Sequence, residues 1–215
     1  MSKSVLKAVF LLSTLLAPLP ALAISEQSGA DPERKASELS SLRQGPFTLA
    51  PMGFVRFCMT YAEECRGGGS DPVEMTLDRM ADLHLVNSGV NRRIRPQADA
   101  PGTDIWSLNV TAGDCDDYVV QKRHDLIARG WPAGALLFAA VQTRSGEGHL
   151  VLVVRTTRGE LVLDNLRARI VEPQNTGYHW LKMQSAANPT YWVEVKQQPQ
   201  LIALNRRGPA EQAGS

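Results

Sequence analysis

The chain has 215 residues, 23 basic against 22 acidic side chains, and 43% hydrophobic residues. That length supports one domain with a real core, and the ordinary charged fraction excludes global disorder. The near-zero net charge removes the electrostatic case for nucleic-acid binding, and three cysteines are too few for a disulfide-built scaffold.

Residues 1–23 have the anatomy of a secretory signal peptide. Lys3 and Lys7 give a positive start, residues 9–16 are nearly all apolar, and Ala21-Leu22-Ala23 follows Pro18 and Pro20 as a cleavage site. The apolar run falls short of the ~20 residues a membrane span needs. Export is therefore expected, with no span left after cleavage and a balance turned slightly negative by the loss of the two lysines. In an oxidising compartment paired thiols tend to bridge. A Cys58–Cys65 bridge with Cys115 left free is the economical assignment; two reduced, buried cysteines are the alternative. On one continuous helix seven positions span ~10 Å, too far for a disulfide, so a bridge requires the chain to turn back between Met59 and Glu64.

Residues 24–46 are rich in Ser, Glu, Gly, Pro and Lys and read as a flexible arm, with Pro46 and Pro51 bracketing a short extended piece. Residues 66–72 form a loop by composition. A helix is expected over 73–87, capped by Thr76 or Asp71 and stopped by Gly89 and Pro96. Arg92, Arg93 and Arg95 at its end complement the macrodipole. The clearest helix covers 114–129, with Gly113 as entry, Asp114 as cap, acidic residues in the first turn, and Gly130 and Pro132 as terminators. The period then changes to two, giving strands over 135–142, 149–156, 161–165 and 191–195 joined by short turns, hence antiparallel. A flexible tail is expected over 196–215. Helices followed by a meander indicate an α+β domain over 47–195.

Chemistry concentrates at three places. Cys115 lies in the first turn of the strong helix, where free N–H groups and the positive dipole end favour a thiolate and could hold an oxyanion. His149 opens one strand and Asp164 closes the next. In an antiparallel hairpin they share a face only if paired residue numbers sum to an odd value. A turn over 156–159 that pairs 155 with 160 sets Asp164 diagonal to His149, whereas a tighter turn at Arg158-Gly159 leaves them apart. The other histidines fit less well. His124, nine positions after Cys115, lies ~900° around the helix and so on the opposite face; His84 and His179 read as core or surface residues. Asp114, Asp116 and Asp117 crowd the thiol with negative charge, which raises its pKa unless an imidazolium, the helix terminus or a bound cation offsets it. Converging carboxylates suit Ca²⁺, although dipole complementation of an exposed turn is an equal reading.

The chain resembles the bacterial transglutaminase-like cysteine proteinases. The resemblance is carried by Ala50-Pro51-Met52-Gly53-Phe54, Phe57-Cys58, Val90-Asn91-Arg92 and Asp104-Ile105-Trp106. It continues through Gly113-Asp114-Cys115-Asp116-Asp117-Tyr118, Gly130-Trp131-Pro132, Gly148-His149, Leu163-Asp164-Asn165 and Thr176-Gly177-Tyr178-His179-Trp180. It implies a papain- or transglutaminase-like fold, with the nucleophile helix packed on an antiparallel sheet. It also implies Cys115 as nucleophile, His149 as base and Asp164 as its orienter. Some members are periplasmic proteinases that clip surface adhesins and so release biofilm cells. Their activity depends on calcium, for which Asp114, Asp116 and Asp117 are the matching carboxylates here. In that branch an inner-membrane receptor responding to cyclic di-GMP sequesters the enzyme. The expectation is thus a periplasmic cysteine peptidase acting on a protein substrate. Amide acyl transfer by the same triad, or a non-catalytic protein-binding domain, stands as the alternative. Trp106 is expected to wall the cleft.

Overall fold

The computed structural model describes residues 42–69 and 71–196; the expected signal peptide at 1–23, most of the arm and all but the first residue of the tail lie outside the described residues. Among the described residues the order is β1 (Arg43–Thr48), α1 (Met52–Thr60), α2 (Leu77–Arg93), β2 (Arg95–Pro96), β3 (Ala112–Gly113) and α3 (Cys115–Ile127). Then come β4 (Leu136–Gln142), β5 (Gly148–Thr156), β6 (Gly159–Leu163), β7 (His179–Gln184) and β8 (Trp192–Lys196). Six strands make one sheet in the order β1-β8-β7-β4-β5-β6, every neighbour antiparallel. β2 and β3 form a separate parallel pair. This is an α+β fold, with no helix among the described residues long and apolar enough to cross a membrane.

The sheet is apolar on both faces. Phe138, Leu150, Leu152, Val154 and Leu163 pack with Tyr118, Val119 and Leu126 of α3 and with Leu83 and Val90 of α2. Leu137, Ala139, Val141, Val151, Val153 and Val162 build a second cluster with Trp180, Met183, Val193 and Val195. β4 and β5 therefore read as unbroken apolar runs, because successive side chains enter opposite clusters.

Several local expectations are corrected. α2 runs on through Gly89 to Arg93, since Val86, Val90 and Ile94 are buried along one stripe and outweigh the roughly 1 kcal/mol cost of a helical glycine. Thr76, not Asp71, caps it, accepting from the Arg79 N–H at 3.2 Å. α1 begins just after the expected extended piece, at Met52, as a helix the sequence reading did not place, with Gly53, Phe54 and Phe57 buried. β7 escaped the period-two reading because a register shift between Ala140 and Val141 leaves Leu181 as an extra residue, so Trp180 and Met183, three apart, enter the same cluster.

Cys58 and Cys65 are bridged, with Cα atoms 5.6 Å apart, and Cys115 is the free thiol. The chain turns back after Thr60 through a 3-10 turn at Ala62–Cys65, as the bridge requires. That turn is tied to α3. The Glu64 carbonyl accepts from the Arg123 guanidinium, and the Glu64 carboxylate meets His124 Nδ1 at 2.6 Å.

Candidate active site

Asp114 caps α3, accepting from the Asp116 N–H at 3.3 Å, while Asp117 reaches back to the Asp114 N–H at 3.2 Å. This reciprocal capping leaves Cys115 as the first helical residue. Gly113 is required by close approach: a Cβ there would collide with the Asp117 carboxylate. The loop before the helix is laced to it, because Asp117 also accepts from the Ser107 N–H at 2.8 Å and Gln121 from the Asn109 N–H at 2.7 Å.

The hairpin has the odd register. Arg155 pairs with Glu160, Thr156 with Gly159 and Leu152 with Leu163. His149 Nε2 meets Asp164 Oδ1 at 2.9 Å, and both side chains are buried. That leaves Nδ1 as the ring nitrogen free to serve a thiol. Cys115 lies against the same strand end: the Leu150 N–H points at its sulfur and favours the thiolate, as does its own N–H. The three expected residues are thus gathered at one end of β5, from a helix start and two strand ends.

Asp164 is held more fully than the sequence disclosed. Oδ1 also accepts from the Leu166 N–H at 2.9 Å, Oδ2 accepts from the Tyr178 hydroxyl at 2.5 Å, and Arg167 Nε lies 4.0 Å away. Burial alone would push the carboxyl up, but the hydrogen bonds from His149 and Tyr178 outweigh it and hold it below the ordinary range. Asn91 of α2 donates to the Asp164 carbonyl at 2.9 Å. The Tyr178 ring stands edge-on to His149 at 5.6 Å. Gly177, with φ 70°, supplies the bend before it and was the one local signal for this residue. His124 is engaged with Glu64, and His84 and His179 are exposed. Trp106 is no open cleft wall. It is 5% exposed, packed among Phe54, Phe57 and Phe138, and its indole donates to Asp104 at 2.8 Å.

A family model described as bacterial transglutaminase-like cysteine proteinase matches residues 44–200. The chain belongs to this family. Among solved structures, calcium-bound LapG of Legionella pneumophila aligns at 20% identity over 81% of this chain and 98% of that one, with a TM-score of 0.49. EGTA-treated LapG aligns at 19% identity over 79% and 91%, with a TM-score of 0.48. No curated protein matches the chain.

In this cysteine proteinase the acidic cluster and the thiol oppose each other. Burial, then the charges of Asp116 and Asp114, push the Cys115 thiol up to about 12 against the pull of the Leu150 N–H. Burial and the neighbouring carboxylates push Asp116 up to about 10. Asp117 is raised to about 6, chiefly by burial. Oxygens of Asp114, Asp116 and Asp117 lie within 4.8 Å of one another, and Asp116 Oδ1 is buried with no hydrogen-bond partner. Convergent hard oxygens, one of them orphaned, suit a calcium ion, which would lower the raised carboxyls of Asp116 and Asp117 and offset the charge that suppresses the thiolate.

Proposed function

We propose that the chain is an exported, periplasmic cysteine proteinase that hydrolyses a peptide bond of a cell-surface protein through Cys115, His149 and Asp164. The observation that carries this reading is the His149–Asp164 hydrogen bond at the strand end where the Cys115 sulfur rests. The Cys58–Cys65 bridge supports an oxidising compartment, and the leader-like residues 1–23 supply the route.

Cys115 gives its proton to His149 Nδ1 and attacks the scissile carbonyl carbon. The oxyanion develops beside the Cys115 N–H at the start of α3. His149 returns the proton to the departing amine as the C–N bond breaks, leaving a thioester. Water, deprotonated by the same ring, then releases the acid and restores the thiol. Asp164 fixes the ring with Nε2 protonated and stabilises its cationic form. Calcium held by Asp114, Asp116 and Asp117 would supply positive charge beside the nucleophile. A surface adhesin is the substrate this reading favours, with an inner-membrane receptor holding the enzyme in check.

The test compares surface proteins of cells carrying the parent chain and a Cys115→Ala variant, with and without a calcium chelator. The reading expects a shortened surface protein only with the parent chain and free calcium. Identical fragments from the Cys115→Ala cells would remove the catalytic assignment, and amine incorporation without hydrolysis would convert it to acyl transfer.

A further inference from the structure

The connection between β6 and β7 begins with Asp164 and ends with Tyr178. Its two ends meet at Asp164 Oδ2, to which the Tyr178 hydroxyl donates at 2.5 Å. Arg167 joins the same two ends. Its Nη2 donates to the Thr176 carbonyl at 2.5 Å, its guanidinium carbon stands 5.2 Å from the centre of the Tyr178 ring, and its Nε lies 4.0 Å from Oδ2. Tyr178 thus touches Arg167 as well as the His149 ring, which it meets edge-on at 5.6 Å. Burial and then the Asp164 carboxylate push the Tyr178 hydroxyl up to about 12, so it keeps its proton and donates throughout the neutral range. Thr176, whose carbonyl the arginine grips, is wholly buried. Its hydroxyl donates to the Pro173 carbonyl at 2.7 Å and accepts from the Tyr178 N–H at 3.1 Å, so the same residue sets the backbone entry to Tyr178.

The weight of these contacts is geometric rather than Coulombic. The Arg167 side chain is 36% exposed, and an ion pair at 4.0 Å in that setting contributes little by charge alone. A planar guanidinium, however, donates to a carbonyl and covers an aromatic ring at once, which a compact ammonium does not. We propose that Arg167 is a positioning residue, a clasp between the two ends of the β6–β7 connection that holds Tyr178 against Asp164 and so keeps the His149 ring aligned for Cys115. The catalytic consequence rests on the proposed reading of Cys115, His149 and Asp164.

The test is a kinetic double-mutant cycle of Arg167→Met and Tyr178→Phe on the full chain. Arg167→Met is expected to lower kcat about tenfold with KM unchanged, because the reacting groups lose alignment rather than affinity. In the Tyr178→Phe background the same substitution is expected to cost little, since the arginine acts through the tyrosine. Independent, additive losses would overturn the proposal. So would a raised KM with kcat unchanged, which would make Arg167 a substrate contact. Arg167→Lys keeps the charge without the fork and is expected to recover little activity; full recovery would reduce the arginine to a point charge and overturn the clasp. Should Arg167→Met not fold, Arg167→Gln carries the same cycle. A second arm needs no activity. The His149 Nε2 proton, followed by NMR in chain labelled with 15N-histidine, is expected to exchange with water about tenfold faster in Arg167→Met. Unchanged exchange would overturn the positioning role. Faster exchange in a protein without peptidase activity would leave the clasp standing and remove the catalytic reading instead.

Discussion

Both carboxylate oxygens of Asp164 are engaged: Oδ1 by His149 and the Leu166 N–H, Oδ2 by the Tyr178 hydroxyl. The orienting carboxylate is therefore itself oriented, and its partners should matter in graded fashion. Asp164→Asn is expected to cut kcat about a thousandfold or more, because an amide in that place can donate to Nε2 and favour the wrong tautomer. Tyr178→Phe removes one of several hydrogen bonds and is expected to cost about tenfold in kcat with little change in KM. Steady-state hydrolysis of one peptide by both variants checks the order. The sequence disclosed the gathered residues unequally. Cys115 was marked by its capped helix start, and His149 with Asp164 by strand parity. Tyr178 and Asn91 reach Asp164 across 14 and 73 positions with no periodic relation to it, so only the folded chain could pair them.

Among elements, the β5–β6 hairpin carries both the site and an unusual buried acid. Glu160 is 8% exposed and accepts from the Leu42 N–H at 2.6 Å, and burial pushes its carboxyl from 4.5 up to about 7. Its folded value lies above its unfolded one. The stability it contributes is therefore complete below about pH 4.5 and lost as pH rises through about 7, a change of roughly 3 kcal/mol. Glu160→Gln, whose amide oxygen can still accept from Leu42, is expected to flatten that part of the pH–stability curve in urea titrations. The disulfide turn is the second element to probe. Replacing Cys58 and Cys65 together by serine is expected to lower stability by about 2–3 kcal/mol, because the closed loop is short. A thermal melt measures it. Elements with a strong single pattern, α3 above all, were readable from sequence. α1 buries only three residues in nine, and the shift at Leu181 breaks the alternation of β7, so neither showed a period.

For the molecule as a whole, three carboxylates and a thiol share one helix start, a charge pattern that weakens the cation-free protein. Asp116, pushed up to about 10, costs stability at neutral pH whenever no cation compensates it. Asp116→Asn is expected to melt higher than the parent in chelator and to gain less from added calcium. Equal calcium gains in both proteins would move the ion elsewhere. The α+β class followed from the order of helices and strands. The need for compensating charge followed from three aspartates in four positions. That Asp116 Oδ1 stays without a donor could not be read from sequence, because its exclusion from water is set by packing.

The most direct measurement of the central claim is the alkylation rate of Cys115 near pH 6 with calcium present, read by mass in the parent chain and in His149→Ala. A thiol paired with an imidazole reacts there as a thiolate, so the parent is expected to be modified about a hundredfold faster than the variant, and chelation to slow it sharply. Equal rates in the two proteins would contradict the account.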